Sequence, residues 1–123
     1  QAMQNQTERT SDVIASDRVE GTVVYGADNA KMGSVDKVLI GKRNGQVTDA
    51  ILSIGGFLGI GDEKHSIPWS KLNYDTELGG YKLDVDEEEI RNAPRFDPND
   101  TDRVYDREYQ TRVYDYWTAT PYW

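Results

Sequence analysis

The chain of 123 residues carries 14 basic and 22 acidic side chains, which gives it a net charge of −8. This length suits one domain of ordinary size with a tail. The acidic balance argues against nucleic-acid partners, since binding phosphate requires clustered Lys and Arg. Without cysteine, the chain forms no disulfide, thiolate metal site or cysteine nucleophile. No apolar run reaches the roughly 18 residues of a membrane span.

Residues 1–17 are polar and predict a flexible N-terminal arm. They lack the apolar core of a signal peptide, so we expect a cytoplasmic protein. The chain begins with Gln instead of Met, however, so a removed leader and a periplasmic location both stay open.

Six short strands are predicted between residues 22 and 85, from β-branched or alternating apolar residues separated by Gly, Asn and Asp turns. Their ranges are 22–25, 32–40, 46–54, 64–69, 72–75 and 81–85. The later half of the third strand is apolar on both faces, as expected where a strand is buried from two sides or where a barrel closes around it. Turns at intervals of about 8 to 12 residues predict a mainly β fold, a small antiparallel β-barrel.

The pattern changes after the sixth strand. Residues 86–93 begin with acidic side chains and stop before Pro94, which predicts a short helix. Residues 94–102 have the composition of a linker, and residues 103–117 place aromatic and apolar residues at roughly helical spacing. We expect this last segment to form a helix or an ordered arm that docks either on the barrel or on a neighbouring subunit.

These patterns divide the chain into three parts. The parts are a flexible arm (1–17), a barrel domain that includes the short helix (18–93), and a linker with an aromatic C-terminal arm (94–123).

The most unusual stretch lies between the third and fourth strands, where four glycines alternate with Phe57, Leu58 and Ile60. A nucleotide-binding loop also follows a strand, but it leads into a helix that binds phosphate, whereas a second strand follows here. Two acidic residues after the loop would also repel phosphate. The apolar side chains therefore either pack into the end of the barrel or form a contact patch for a partner.

Two segments together carry a family resemblance. The first is Gly21–Tyr25, followed by a turn and by Lys31–Leu39; the second is the glycine loop, followed by a strand that ends in Ile67-Pro68-Trp69. Both resemble the signatures of the PRC-barrel domain family. The resemblance spans residues 16–96, and the tail that finishes at Trp123 is similar to that of free-standing bacterial members.

The resemblance implies a small β-barrel that serves as a non-enzymatic assembly module, with no catalytic residue and no cofactor. The family includes the cytoplasmic domain of the photosynthetic reaction-centre H subunit and the C-terminal domain of a ribosome maturation factor. As this sequence shows neither the membrane helix of the first nor the N-terminal RNA-processing domain of the second, neither specific role is expected of it.

No residue pattern predicts catalysis or metal binding. His65 is the one histidine, without a second imidazole or thiolate for zinc and without a nucleophile–base pair, so we expect a structural or surface role. The acidic runs at 84–89 and 97–102 lack the spacing of an EF-hand loop, and they predict a helix start and a solvated linker.

We therefore expect a protein–protein interaction module that binds a partner or itself, most readily as a homo-oligomer. Tyr, Trp and Arg are enriched in interfaces. The candidate contact residues are Phe57, Leu58, Ile60, Trp69, Tyr105, Tyr109, Tyr116 and Trp117. The alternative is an accessory protein of a photosynthetic or electron-transfer complex, in which the barrel end and the aromatic tail hold a ring-type ligand.

Overall fold

The computed structural model describes residue 7, residues 10–55 and residues 63–123. These residues form a curled six-stranded sheet, a half-barrel, with short helices before and after the strands. The strands are β1 (Val23–Tyr25), β2 (Lys31–Ile40), β3 (Val47–Ile54), β4 (Glu63–Pro68), β5 (Leu72–Asp75) and β6 (Gly80–Leu83). The helices are α1 (Ser16–Val19), α2 (Glu87–Asn92) and α3 (Arg107–Trp117), with 3-10 turns at Trp69–Lys71 and Thr101–Tyr105.

The strands lie in the order β4-β3-β2-β1-β6-β5 across the sheet. Four of the five neighbouring pairs are antiparallel, but β1 and β6 run parallel, with Val24 beside Tyr81. The predicted mainly β fold is confirmed, and among the five pairs the pairing of β1 with β6 is the one departure from the predicted antiparallel arrangement. The hairpin of β5 and β6 joins the sheet on the far side of β1 from β2. The chain between β1 and β6 is therefore the long crossover connection that parallel pairing requires.

Irregular register helps the sheet to curl. The pairing of β2 with β3 shifts between Val35 and Lys37 and again between Leu39 and Ile40, and such bulges increase the local twist. The curl encloses the core, and β3 is buried from both sides, as its sequence predicts. Its fully buried apolar residues are Ala50, Ile51, Leu52 and Ile54.

The short acidic helix predicted at 86–93 is confirmed as α2. The Asp86 carboxylate accepts a hydrogen bond from the Glu89 backbone N–H at 2.9 Å, and the Glu89 side chain accepts one from the Asp86 N–H at 3.4 Å. This capping box satisfies two backbone donors that a helix start leaves unpaired. Ile90 anchors the helix in the core, and Pro94 follows its end.

Most strand boundaries lie within one residue of the prediction, and the largest difference is at the end of β6. β4 ends at Pro68 because Trp69 begins a 3-10 turn, and β6 spans Gly80–Leu83 instead of 81–85. The N-terminal segment also contacts the domain, since Ile14 packs against the core ahead of α1.

Gly33 offers a direct test of the β2–β3 register. A Cβ atom at this position would collide with the Ser53 carbonyl oxygen, a backbone atom of the neighbouring strand. We expect Gly33→Ala to lower the free energy of unfolding by about 2–3 kcal/mol, the usual cost of forcing an extra group into a packed site. Urea unfolding monitored by circular dichroism measures this change. Gly55→Ala is the matched control, because no described atom lies within 4 Å of its added Cβ; equal stability of the two variants would contradict the register.

Candidate interaction surface

The aromatic tail folds as helix α3 and packs on β4 of its own sheet. Its buried residues recur at helical spacing and therefore form one face. They are Tyr109, Gln110, Val113, Tyr114 and Trp117. Asp106 caps the start of the helix, where its carboxylate accepts a hydrogen bond from the Glu108 N–H at 3.2 Å. The predicted helical tail is thus confirmed, and it docks within the chain.

A buried polar layer joins α3 to strands β3 and β4. The Ser66 hydroxyl donates to Asp49 Oδ2 at 3.2 Å, and Gln110 Nε2 donates to Ser66 Oγ at 3.2 Å. The Tyr114 hydroxyl lies 3.2 Å from Asp49 Oδ1 and 3.0 Å from the Thr48 carbonyl, between which it shares its single proton. Burial raises the pKa of Asp49, and the surrounding hydrogen bonds only partly oppose this effect. The layer fixes where the helix sits on the sheet.

His65 lies beside this layer and is completely buried. Neither ring nitrogen forms a well-aligned hydrogen bond with a described residue. Burial, and to a lesser extent the charge of Arg95, lowers the pKa of His65 to about 4, and the nearby Pro94 carbonyl partly opposes the shift. His65 is therefore neutral at pH 7. No described side chain activates it as an acid or base, and its place in the core agrees with a structural role.

The residues predicted to contact a partner fall into three groups. Tyr109 and Trp117 are buried under α3, so a partner reaches them only after the helix leaves the sheet. Trp69 is half-buried, with its ring centroid 5.2 Å from that of Tyr81. Tyr105 is 72% exposed. Tyr116 is 39% exposed and donates its hydroxyl to the Glu89 carbonyl at 2.6 Å.

The glycine loop lies outside the described residues. The predicted contacts at Phe57, Leu58 and Ile60 therefore stay predictions.

The structure adds an aromatic corner that the sequence interpretation did not include. The chain end folds back over α3, so that the Trp123 ring lies 5.0 Å from Tyr122 and 5.3 Å from Tyr114, centroid to centroid. The Arg107 guanidinium lies 4.3 Å from the Trp123 ring centroid, a cation–π contact. Tyr122 and Trp123 stay 50% and 43% exposed. Helical periodicity could not predict this corner, because both residues lie beyond the helix.

Together these side chains form the tail surface, which we define as Tyr105, Tyr116, Tyr122 and Trp123. Among the described aromatic residues, these four are the exposed ones. Tyr116 lies on the side of α3 that faces α2, whereas Tyr122 and Trp123 lie against Arg107 and Tyr114. The exposed aromatic area of the described chain is thus concentrated on its last 19 residues.

Within 10–55 and 63–123, His, Asp and Glu side chains form no group of three that could hold a metal ion. In that part of the chain no helix combines the length and the apolar character needed to cross a bilayer.

The sequence matches the model of a known domain family. The PRC-barrel domain model matches residues 11–90, more than half of the chain. The chain belongs to the PRC-barrel domain family. The resemblance carried by residues 21–39 and by the segment that ends at Trp69 is thereby confirmed. In this PRC-barrel protein α3 lies beyond the matched residues.

A search of solved structures finds similarity to the 16S ribosomal RNA processing protein RimM of Pseudomonas aeruginosa. The two sequences are 16% identical, with a TM-score of 0.40, and the match covers 64% of this chain. It covers 48% of RimM, so this PRC-barrel protein spans about half of that protein's length. A search of the curated proteins finds no match.

The burial of neutral His65 predicts a pH-dependent stability. Its pKa is about 4 in the folded state and 6.5 when unfolded, so the unfolded chain takes up the proton first as pH falls. The stabilisation present above pH 6.5 is then lost toward pH 4, by about 2–3 kcal/mol. We expect His65→Leu to remove this loss. The free energy of unfolding of the variant, measured with urea, should therefore rise relative to that of the parent protein as the pH falls from 7 to 4.5.

Ile67→Leu is the matched control for this experiment. It alters a buried residue on the same strand without removing a titrating group, so its stability difference from the parent should not change with pH. The raised pKa of Asp49 acts with the opposite sign, but it is common to all three proteins and cancels in the comparison. A His65→Leu difference that stays constant with pH would contradict the assignment.

Proposed function

We propose that this PRC-barrel protein is a non-enzymatic interaction module that associates with a second copy of itself through the tail surface. The observation that supports this most directly is the concentration of exposed Tyr and Trp side chains on residues 105–123. Aromatic residues supply much of the energy of protein contacts because they bury a large area with few rotatable bonds. The domain beneath supplies a rigid support.

The charge distribution favours a second copy as the partner. Residues 101–123 contain three Arg and four acidic residues, so they are close to neutral in a chain of net charge −8. Two copies that meet here approach with less repulsion than two acidic surfaces of the chain would. The Arg residues also alternate along the segment with Asp and Glu. A twofold axis can therefore bring an Arg of one copy to a carboxylate of the other, as self-complementary interfaces require.

Removing the aromatic side chains tests this proposal. We expect the parent protein to sediment with a concentration-dependent mass, and the Tyr105→Ala/Tyr122→Ala/Trp123→Ala variant to self-associate more weakly by about tenfold or more. Val13→Ala is the control, since Val13 is 77% exposed but far from the tail in sequence. Thermal unfolding checks that all variants remain folded. A parent protein that is monomeric at every concentration would overturn self-association.

The second candidate function is an accessory protein of an electron-transfer complex that holds a ring-type ligand. A cavity of about 320 Å³ supports it, formed where Ile14 faces Trp69, Tyr74 and Tyr81. Aromatic rings in this arrangement can stack on a planar ligand. Protein purified from its native host should then carry an absorbing compound, and Trp69→Ala should lose it. A colourless protein without an extractable compound would contradict this candidate.

A further inference from the structure

An apolar cleft of about 420 Å³ lies at the end of the sheet where β1 and β6 finish and β2 begins. Residues 26–32 form one wall, and residues 85–88 form the other. Its floor includes Met32 and Val85, which are 4% and 8% exposed, and the two alanines of the β1–β2 turn contribute further apolar surface. The size falls within the range of sites that enclose a ligand or a side-chain anchor.

Acidic side chains surround this apolar floor. Asp28, Asp86, Glu87 and Glu88 line the cleft, against the single cation of Lys31. Asp86 is occupied by the capping box, and Glu87 lies 3.5 Å from Arg91 in an exposed ion pair. All four carboxylates remain exposed to solvent. The cleft therefore favours an apolar group that is flanked by positive charges.

The opposite end of β2 presents a group of this kind. Ile40 is 53% exposed although it is a large aliphatic residue, and Lys42 and Arg43 follow it in the exposed β2–β3 turn. Neither cation forms an ion pair with a described residue. We call the segment Ile40–Arg43 the basic tip.

The basic tip is held in one conformation by its turn. The Gly45 N–H donates to the Gly41 carbonyl at 2.9 Å, and the Gly41 N–H donates to the Gln46 carbonyl at 2.8 Å. Asn44 Oδ1 accepts from the Gln46 N–H at 3.0 Å. A turn that is already ordered loses little conformational freedom when it binds.

The tip cannot fill the cleft of its own chain. The two features lie at opposite ends of the ten-residue strand β2, which spans roughly 30 Å at the usual rise of a strand. The complementary surfaces can therefore meet only between two copies.

We propose that the basic tip of one copy docks in the acidic apolar cleft of another, with Ile40 on the apolar floor and Lys42 and Arg43 against the acidic rim. The contact is head-to-tail, because it joins two different surfaces. It does not rest on the proposed tail contact, since it uses no residue of the tail surface. A docked pair still offers one free tip and one free cleft, so the contact propagates from copy to copy.

Charge reversal tests this contact. The experiment is done in the tail variant (Tyr105→Ala/Tyr122→Ala/Trp123→Ala), so that any remaining association is independent of the tail surface. Adding Lys42→Glu/Arg43→Glu places acids against acids, and adding Glu87→Lys/Glu88→Lys places bases against bases. We expect each reversal to weaken association by about tenfold or more in sedimentation velocity. Added salt should weaken association of the unreversed protein.

The decisive measurement is the mixture of the two reversed proteins. Every tip in an equimolar mixture finds a cleft of opposite charge on the other protein, so association should return with alternating composition. Adding Lys37→Glu/Lys82→Glu instead is the control, because it changes the net charge as much as the tip reversal does but lies outside the tip and the cleft. Ile40→Ser should weaken association without a change of charge.

Three results would overturn the proposal. In the first, the tail variant does not associate even before any charge is reversed. In the second, the mixture of the two reversed proteins associates no better than each protein alone. In the third, the control variant loses association as fully as the tip reversal does. Thermal unfolding of the Glu87→Lys/Glu88→Lys protein reports any loss of α2. If this protein is unfolded, the Lys42→Glu/Arg43→Glu and Ile40→Ser proteins decide the question alone, because their changes lie in an exposed turn.

Discussion

The docking of α3 on β4 is the contact on which the rest of the tail depends. An isolated helix of 11 residues is only marginally stable in water, so the sheet must supply the stabilisation. Val113 and Trp117 supply apolar area, but apolar contacts alone would tolerate a helix that slides or rotates. The hydrogen bonds of Gln110 to Ser66 and of Tyr114 to Asp49 prevent such a shift. A shifted helix would leave these buried polar groups unpaired, which costs about 1–3 kcal/mol for each group.

This docked helix divides the aromatic residues of the tail into two classes. Tyr109 lies in the core, with its ring 5.7 Å from that of Phe96, and its hydroxyl lies 3.3 Å from the Pro94 carbonyl. It therefore also holds the segment between α2 and α3. Tyr122 and Trp123 rest on the outside of the same helix. The outer aromatic residues are presented to solvent because the inner ones are bound to the sheet.

Sequence periodicity predicted the strands well, because each strand of a curled sheet alternates between two environments and turns carry recognisable residues. It could not predict the parallel pairing of β1 with β6, since order across a sheet depends on contacts between distant segments. Periodicity also could not predict which face of α3 packs on the sheet. Aromatic residues occur around the whole helix, and the residue that reveals the inner face, Gln110, is polar. The sequence does contain a signal for the buried position of Asp49, because this acid directly precedes the apolar run Ala50-Ile51-Leu52 in a strand buried from both sides.

The two proposed contacts differ in symmetry, and this difference sets what they build. A tail-to-tail contact is the same surface on both copies, so it closes at a dimer. A tip-to-cleft contact joins different surfaces at opposite ends of β2, so it continues until the geometry closes a ring or the supply of copies ends. No residue of the tail surface lines the cleft, so the two contacts use different residues of one copy. Tail-to-tail dimers that also form tip-to-cleft contacts would build a cross-linked assembly from a single small domain. Added salt would weaken the charged tip-to-cleft contact more than the aromatic tail contact.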